Sequence, residues 1–228
     1  MNDKMRLDYS ELLSQRPADF DGPPDGVRIA VDGEEIASIE IEVGQRYAEK
    51  GWPQEWAQVG LCYRDPYLRL LRDAVVFPDG YRTIHHRVLS NSHPSGAAVL
   101  PVHGERIVLI RHFRHPTRKW HWEIPRGGIE PGQTAEQAAR AELREEIDAV
   151  AETLIPLGEV HGSTALISGA VALYLARISR PGQSPIHEGI AGCLEVTIGD
   201  LERMISDGEI TDSFTLAAIF KARLVRLV

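Results

Sequence analysis

Trp122-Glu123-Ile124-Pro125-Arg126-Gly127-Gly128-Ile129-Glu130-Pro131-Gly132-Gln133 runs directly into a helix that opens at Thr134, and the reading of this stretch decides the fold. A strand ends at Pro125. The adjacent glycines Gly127 and Gly128 then allow a backbone path that side chains would forbid, and Gly132 precedes the helix. Thr134 and Gln137 form a capping box. Behind it, Ala139, Leu143, Ile147 and Val150 make one apolar stripe at helical spacing.

The same helix carries Glu142, Glu145 and Glu146 within an arc of roughly 100° at 100° per residue. Glu142 and Glu146 are i,i+4 neighbours beside the apolar stripe. Like charges at that spacing cost a helix a few tenths of a kcal/mol, roughly, and more next to a buried face, unless a cation sits among them. Mg²⁺ commonly takes one or two carboxylates together with waters and substrate phosphates. A bare Glu-x-x-Glu-Glu face is ordinarily solvated, here with Arg140 and Arg144 as intrahelical partners. The glycine-rich loop in front of it points instead to a Mg²⁺ site.

Outward from this centre the β signals are regular. Leu70 to Phe77 and Tyr81 to Val88 flank the turn Pro78-Asp79-Gly80, and Ala97 to Val102 and Arg106 to Arg111 flank His103-Gly104-Glu105. The run Val108-Leu109-Ile110 predicts a strand buried on both faces. Strands follow at Leu157 to Val160 and Ala170 to Ile178, then a mixed segment containing Glu188. A short helix is expected over Asp200 to Ile205 and a terminal one over Ser213 to Val228, with Leu216, Ile219, Phe220 and Leu224 apolar. Strands on either side of isolated helices give an α+β or α/β sandwich.

Gly127 to Ala149 resembles the signature of the Nudix hydrolases: Gly, five residues, Glu, seven residues, Arg-Glu-aliphatic-x-Glu-Glu-x-Gly-aliphatic. Gly127, Glu142, Leu143 and Glu145-Glu146 match it. Gln133, Ala141 and Asp148 stand where that pattern has Glu, Arg and Gly, and Ala149 matches weakly. The resemblance implies an α/β/α sandwich with Mg²⁺, or Mn²⁺ in its place, as cofactor. Glu142 and Glu146 are then the metal ligands, with Glu145 as an assisting catalytic acid. The changes at Gln133, Ala141 and Asp148 bear on metal number, on the bracing of loop and helix, and on the helix end.

Ile110-Arg111-His112-Phe113-Arg114, followed by the Trp122 to Gly132 stretch, is similar to the ADP-ribose pyrophosphatase branch of that family. The similarity implies a backbone-carbonyl metal ligand at Arg126, substrate contacts at His112, Gly127 and Gly128, and a general base at Glu188. Arg114 is read as a phosphate clamp, its alternative being a surface arginine or structural ion pair. The Gly208 to Ala218 segment also resembles that branch, whereas its Ser-Pro-Gly segment is not visible in Gly162 to Gly169. The implied reaction is metal-dependent hydrolysis of the pyrophosphate bond in a nucleoside diphosphate linked to another moiety, ADP-ribose or a nucleotide sugar. The alternative is a Nudix-fold nucleotide-binding or regulatory protein with weak catalysis.

The resemblance covers residues 67–228, read as the hydrolase domain. Residues 1–66 are read as an N-terminal β extension, a candidate homodimerisation element, with a hairpin at Asp32-Gly33 between Val27 to Val31 and Ile36 to Val43. Trp52, Trp56 and Tyr63 are expected to supply packing mass. With 25 basic and 33 acidic residues among 228, the net charge of −8 argues against a nucleic-acid partner, and no basic stripe favours RNA decapping. A small anionic substrate reached through a metal remains compatible with it. Cys62 and Cys193 are too few for a disulfide framework, and no apolar run reaches the roughly 20 residues of a membrane span. A soluble cytoplasmic protein is expected.

Some residues invite more than their sequence supports. His85 and His86 are adjacent on a strand and face opposite ways, so they do not chelate one metal. Trp120 and Trp122 read as core packing before adenine stacking.

Overall fold

The computed structural model describes residues 3–90, 92–182 and 189–228. Packing divides the chain into two units, Met1–Asn91 with Ser163–Ser168, and Ser92–Gly162 with Gly169–Val228. The division expected after residue 66 thus falls after Asn91, because the hairpin that opens at Leu68 pairs with N-terminal strands.

The first unit contains α1 (Asp3–Gln15), β1 (Arg28–Ile29), α2 (Gly33–Glu49), β2 (Gly60–Arg64), β3 (Leu68–Val76) and β4 (Arg82–Ser90). β3 pairs antiparallel with β1, β2 and β4. Tyr9 and Leu12 of α1 and Ile36, Ile39 and Val43 of α2 pack with Leu61, Leu71, Ala74, Ile84 and Leu89 of the sheet. Within this core Asp73 accepts from Tyr9 Oη at 2.7 Å and Arg87 Nε at 2.8 Å, so its buried charge is matched.

The hairpin expected at Asp32-Gly33 is a helix start instead. Asp32 accepts the N–H groups of Glu34 and Glu35, and the two acids favour the positive end of the helix. Ile36, Ile39 and Val43 are buried at helical spacing, whereas Ile41, which completes the apparent alternation, is exposed. The extension is therefore helical as well as β, and α1 is an addition to the sequence reading. Trp52, Trp56 and Tyr63 are exposed by 47%, 52% and 53%, so the expected packing mass comes from Tyr9 and the aliphatic residues.

The second unit contains β5 (Gly96–His103), β6 (Arg106–Arg114), β7 (Lys119–Glu123), β8 (Arg126–Gly128), α3 (Ala135–Ile147), β9 (Ala151–His161), β10 (Ala170–Ile178), β11 (Ile190–Thr197), α4 (Ile198–Ser206) and α5 (Ser213–Leu224). Its seven-stranded sheet runs β11-β6-β5-β10-β9, with β7 on β6 and β8 on β5. β10 lies parallel to β5. β11, unassigned in the sequence reading, pairs with β6 beyond a bulge.

Both faces of β5 and β6 are buried, as the apolar runs predict. Ala97, Val99, Val108 and Ile110 pack with Ala138, Ala139, Leu143 and Ile147 of α3. Ala98, Leu100, Ile107 and Leu109 pack with Leu201 and Met204 of α4 and Ala218, Ile219 and Ala222 of α5. The result is an α/β/α sandwich. In α5 the inward face is Thr215, Ala218, Ile219 and Ala222, and the expected Phe220 and Leu224 are exposed.

Replacing the cap of α2 tests the reassigned segment. Asp32→Ala is expected to lower the unfolding free energy by about 1 kcal/mol in urea titrations, and Asp32→Asn to leave it nearly unchanged. Equal stability of the alanine variant would contradict the cap.

Candidate active site

α3 is fixed at both ends by local chemistry. Gln137 N–H donates to Thr134 Oγ1 at 3.2 Å while Thr134 N–H donates to Gln137 Oε1 at 2.8 Å. At the far end Asp148 adopts the left-handed conformation, φ 48°, which aspartate tolerates better than most residues. The helix thus stops without a glycine, and Val150 lies beyond it, exposed. Leu143 and Ile147 pointing inward set the rotation of the helix and place Glu142 and Glu146 against β8.

The two carboxylates meet the glycine loop differently. A Cβ on Gly127 would lie 1.9 Å from Glu142 Oε1, so a side chain there would displace the tip of that glutamate. Glu146 Oε2 accepts the Arg126 N–H at 2.9 Å. Ala98 and Arg126 are partners in the β5–β8 ladder, and the neighbouring Val99 N–H donates to Pro125 O at 2.9 Å. Arg126 therefore sits at a position whose backbone groups turn away from β5, its N–H and carbonyl toward the α3 side.

Glu146 is only 4% exposed. Burial, and next the Glu142 charge, push its carboxyl up to about 8, against the pull of the Arg126 N–H toward the anion.

Beneath the pair lies a charged network centred on Glu123, which is 1% exposed. Arg114 ion-pairs with Glu123 Oε1. Arg126 Nη2 lies 3.5 Å from Glu123 Oε2 and 3.4 Å from Asp212 Oδ1, with its guanidinium 5.0 Å from the Phe214 ring centre. His112 Nδ1 is 3.4 Å from Glu123 and 3.8 Å from Glu146. Asp212 caps α5 by accepting the Thr215 N–H at 2.9 Å, and Thr215 Oγ1 accepts the Ile124 N–H at 3.0 Å.

The structure thus brings together Glu142, Glu146, Arg126, Gly127, His112 and Arg114. Gly128 pairs with Gly96 at the end of β8. Glu145 is exposed, and among the described residues no hydrogen bond or ion pair joins it to this group. Glu188 lies outside the described residues. Arg114 is in the ion pair that the sequence reading kept as its alternative. Glu123, Asp212 and Thr215 were missed. The signal for Glu123 was an acid closing a strand, Lys119–Glu123, whose other residues are aromatic or basic. Trp122 packs against the core as expected, but Trp120 is 46% exposed, with Phe113 edge-on at 5.4 Å and Arg111 over its ring.

Among the described residues no three His, Cys, Asp or Glu side chains converge into a metal cage. Two carboxylates and a turned carbonyl are an all-oxygen donor set, which fits a hard divalent cation that keeps waters and substrate oxygens as its other ligands. Gln133 does not add to this set by contact: its Oε1 accepts the Glu130 N–H at 3.0 Å, closing its own loop.

The second unit is a three-layer sandwich with paired glutamates against a glycine loop, and known hydrolases are similar to it. Residues 92–184 match the family described as NUDIX domain, starting where the second unit starts. Over 131 residues the chain is 29% identical to ADP-ribose pyrophosphatase of Bacillus subtilis (strain 168), spanning 56% of this chain and 71% of that protein. It is 27% identical over 156 residues to the methanol dehydrogenase activator of Bacillus methanolicus, spanning 67% and 83%. The solved structure of an ADP compounds hydrolase shares the fold, with a TM-score of 0.63 at 19% identity over 73% of this chain and 90% of that one. Residues 92–184 thus match a NUDIX domain, and the chain is similar to ADP-ribose pyrophosphatase. No described helix is long and apolar enough to cross a membrane.

Two outcomes check this geometry. Gly127→Ala should stay folded, because the atom in its way is the tip of a flexible side chain, but should lose divalent-cation binding by calorimetry as Glu142 is displaced. Retained binding would contradict the close approach. Glu146 ionises near 4.5 when unfolded and near 8 in the fold, so its contribution to stability is full below pH 4.5 and is lost as pH rises toward 8. Metal-free protein should therefore lose melting temperature over that window more steeply than Glu146→Gln, and equal slopes would refute the shift.

Proposed function

We propose that the chain hydrolyses the pyrophosphate bond of a nucleoside diphosphate linked to another moiety, ADP-ribose or a nucleotide sugar, with Mg²⁺ or Mn²⁺ as cofactor. The observation that carries the reading is the pair Glu142 and Glu146, held on Gly127 and on the Arg126 N–H. When bound, the cation neutralises diphosphate charge and eases activation of water.

The chain's own groups have separable parts. Glu142 and Glu146 hold the cation, the Arg126 carbonyl completes the oxygen set, and Gly127 and Gly128 leave room at the loop for the diphosphate. Arg114 orients a phosphate oxygen: its buried Nε has no hydrogen-bond partner among the described residues, and such a donor favours an incoming acceptor. His112 borders the same group. Glu188 takes the proton from water in this reading, and Glu145 assists Glu142 and Glu146 at the cation, on the strength of the sequence resemblance. The N-terminal unit serves as the homodimerisation element, a role supported by its exposed Trp52, Trp56 and Tyr63.

A second reading, a weakly catalytic Nudix-fold regulator, is favoured by one observation: Gln133 spends its side-chain oxygen inside its own loop. Incubation with ADP-ribose and a nucleotide-sugar panel plus Mg²⁺ or Mn²⁺ separates the two. Metal-dependent release of nucleoside monophosphate, lowered by orders of magnitude, roughly 10²–10⁴-fold, in folded Glu146→Gln, is expected. Tight binding without turnover would overturn the enzyme reading.

A further inference from the structure

We infer that the Arg126 guanidinium is a positioning group, which ties the first turn of α5 to the glutamate pair and so fixes the backbone atoms that Arg126 presents to the site. The inference rests on the metal-site reading of Glu142 and Glu146, and its test is separable from that reading.

β8 is three residues long, and two of them are glycines. Among the described residues its ladder contact is with β5 alone. A segment so short and so glycine-rich has broad backbone freedom, yet its first residue must hold an N–H on Glu146 and turn its carbonyl toward the α3 side. The side chain of that same residue supplies the missing constraint. It reaches past the backbone to buried Glu123 and to Asp212, 86 residues away in sequence, and lies over Phe214.

These anchors are rigid in turn. Asp212 caps α5 through the Thr215 N–H, and Thr215 Oγ1 both donates to Asp212 Oδ2 at 2.8 Å and accepts the Ile124 N–H. Thr215 is fully buried. The segment Ile124–Arg126 is therefore stitched to one helix turn at two points, one through the backbone of Ile124 and one through the side chain of Arg126. A planar guanidinium suits the second link, because its Nη2 lies between two carboxylates while its face stacks on the Phe214 ring. A lysine ammonium at that position would lack the flat face that lies over Phe214, leaving the side chain free to turn between the carboxylates.

The experiment measures Mn²⁺ affinity by electron paramagnetic resonance, and kcat and KM for ADP-ribose, on the full chain and on Arg126→Gln, Arg126→Lys, Asp212→Asn and the Arg126→Gln/Asp212→Asn double variant. Asparagine keeps the helix cap. Arg126→Gln is expected to weaken Mn²⁺ binding about ten- to a hundredfold and to lower kcat more than it alters KM. Arg126→Lys should not restore either. Asp212→Asn should move both quantities the same way by less, and the double variant should resemble Arg126→Gln alone, because the two residues act through one link.

Unchanged Mn²⁺ affinity in Arg126→Gln, full rescue by lysine, or simple additivity of the two losses would overturn the inference. If Arg126→Gln fails to fold, Asp212→Asn decides: an affinity equal to wild type refutes the link. If wild type binds Mn²⁺ but cleaves no substrate, the functional reading fails while the Mn²⁺ affinities still decide this one. If wild type binds no Mn²⁺, both fall.

Discussion

Two carboxylates one helical turn apart, beside a face that must be buried, repel each other in an environment that screens little. The second unit is arranged around holding them there. Glu146 is steadied by the Arg126 N–H, and Glu142 is admitted because Gly127 has no side chain to meet it. Burial of Leu143 and Ile147 against β5 and β6 sets the helix rotation and so keeps both carboxylates on the side of β8. A cation would turn this repulsion into ligation, and the pattern of apolar and acidic residues on α3 makes sense with one bound.

Beneath this pair, buried charge is balanced rather than avoided. Glu123 would be costly alone in the interior, but Arg114 and Arg126 face it from two strands and His112 approaches it as well. The same network ties β7, β8 and the start of α5 together. Fold and the proposed chemistry therefore share residues here: the arginines that make the interior tolerable also border the proposed diphosphate site.

Much of this was legible in the sequence because it is local. The capping box at Thr134 and Gln137, the spacing of Leu143 and Ile147, and the run Val108-Leu109-Ile110 each encode a structure within a few residues, and each appears as read. Glu142, Glu146 and Gly127 were legible through their spacing and the family resemblance. What was hidden is non-local. Nothing near Glu123 announces Arg126 and Asp212 as its surroundings, and the inward turn of Thr215 depends on an N–H 91 residues away. The N-terminal error has a different cause. Ile39, Ile41 and Val43 alternate like a strand, while Ile36, Ile39 and Val43 repeat like a helix, and the Asp32 cap decided for the helix.

The central claim is that the glutamate pair on the Gly127 loop is a divalent-cation site for a diphosphate. A crystal structure with Mg²⁺ and a non-hydrolysable ADP-ribose analogue tests it most directly. The account predicts Mg²⁺ ligated by Glu142, Glu146 and the Arg126 carbonyl, with analogue phosphate oxygens on the metal and near Arg114. An analogue bound elsewhere, or bound at this loop with no metal between it and the two glutamates, would contradict it.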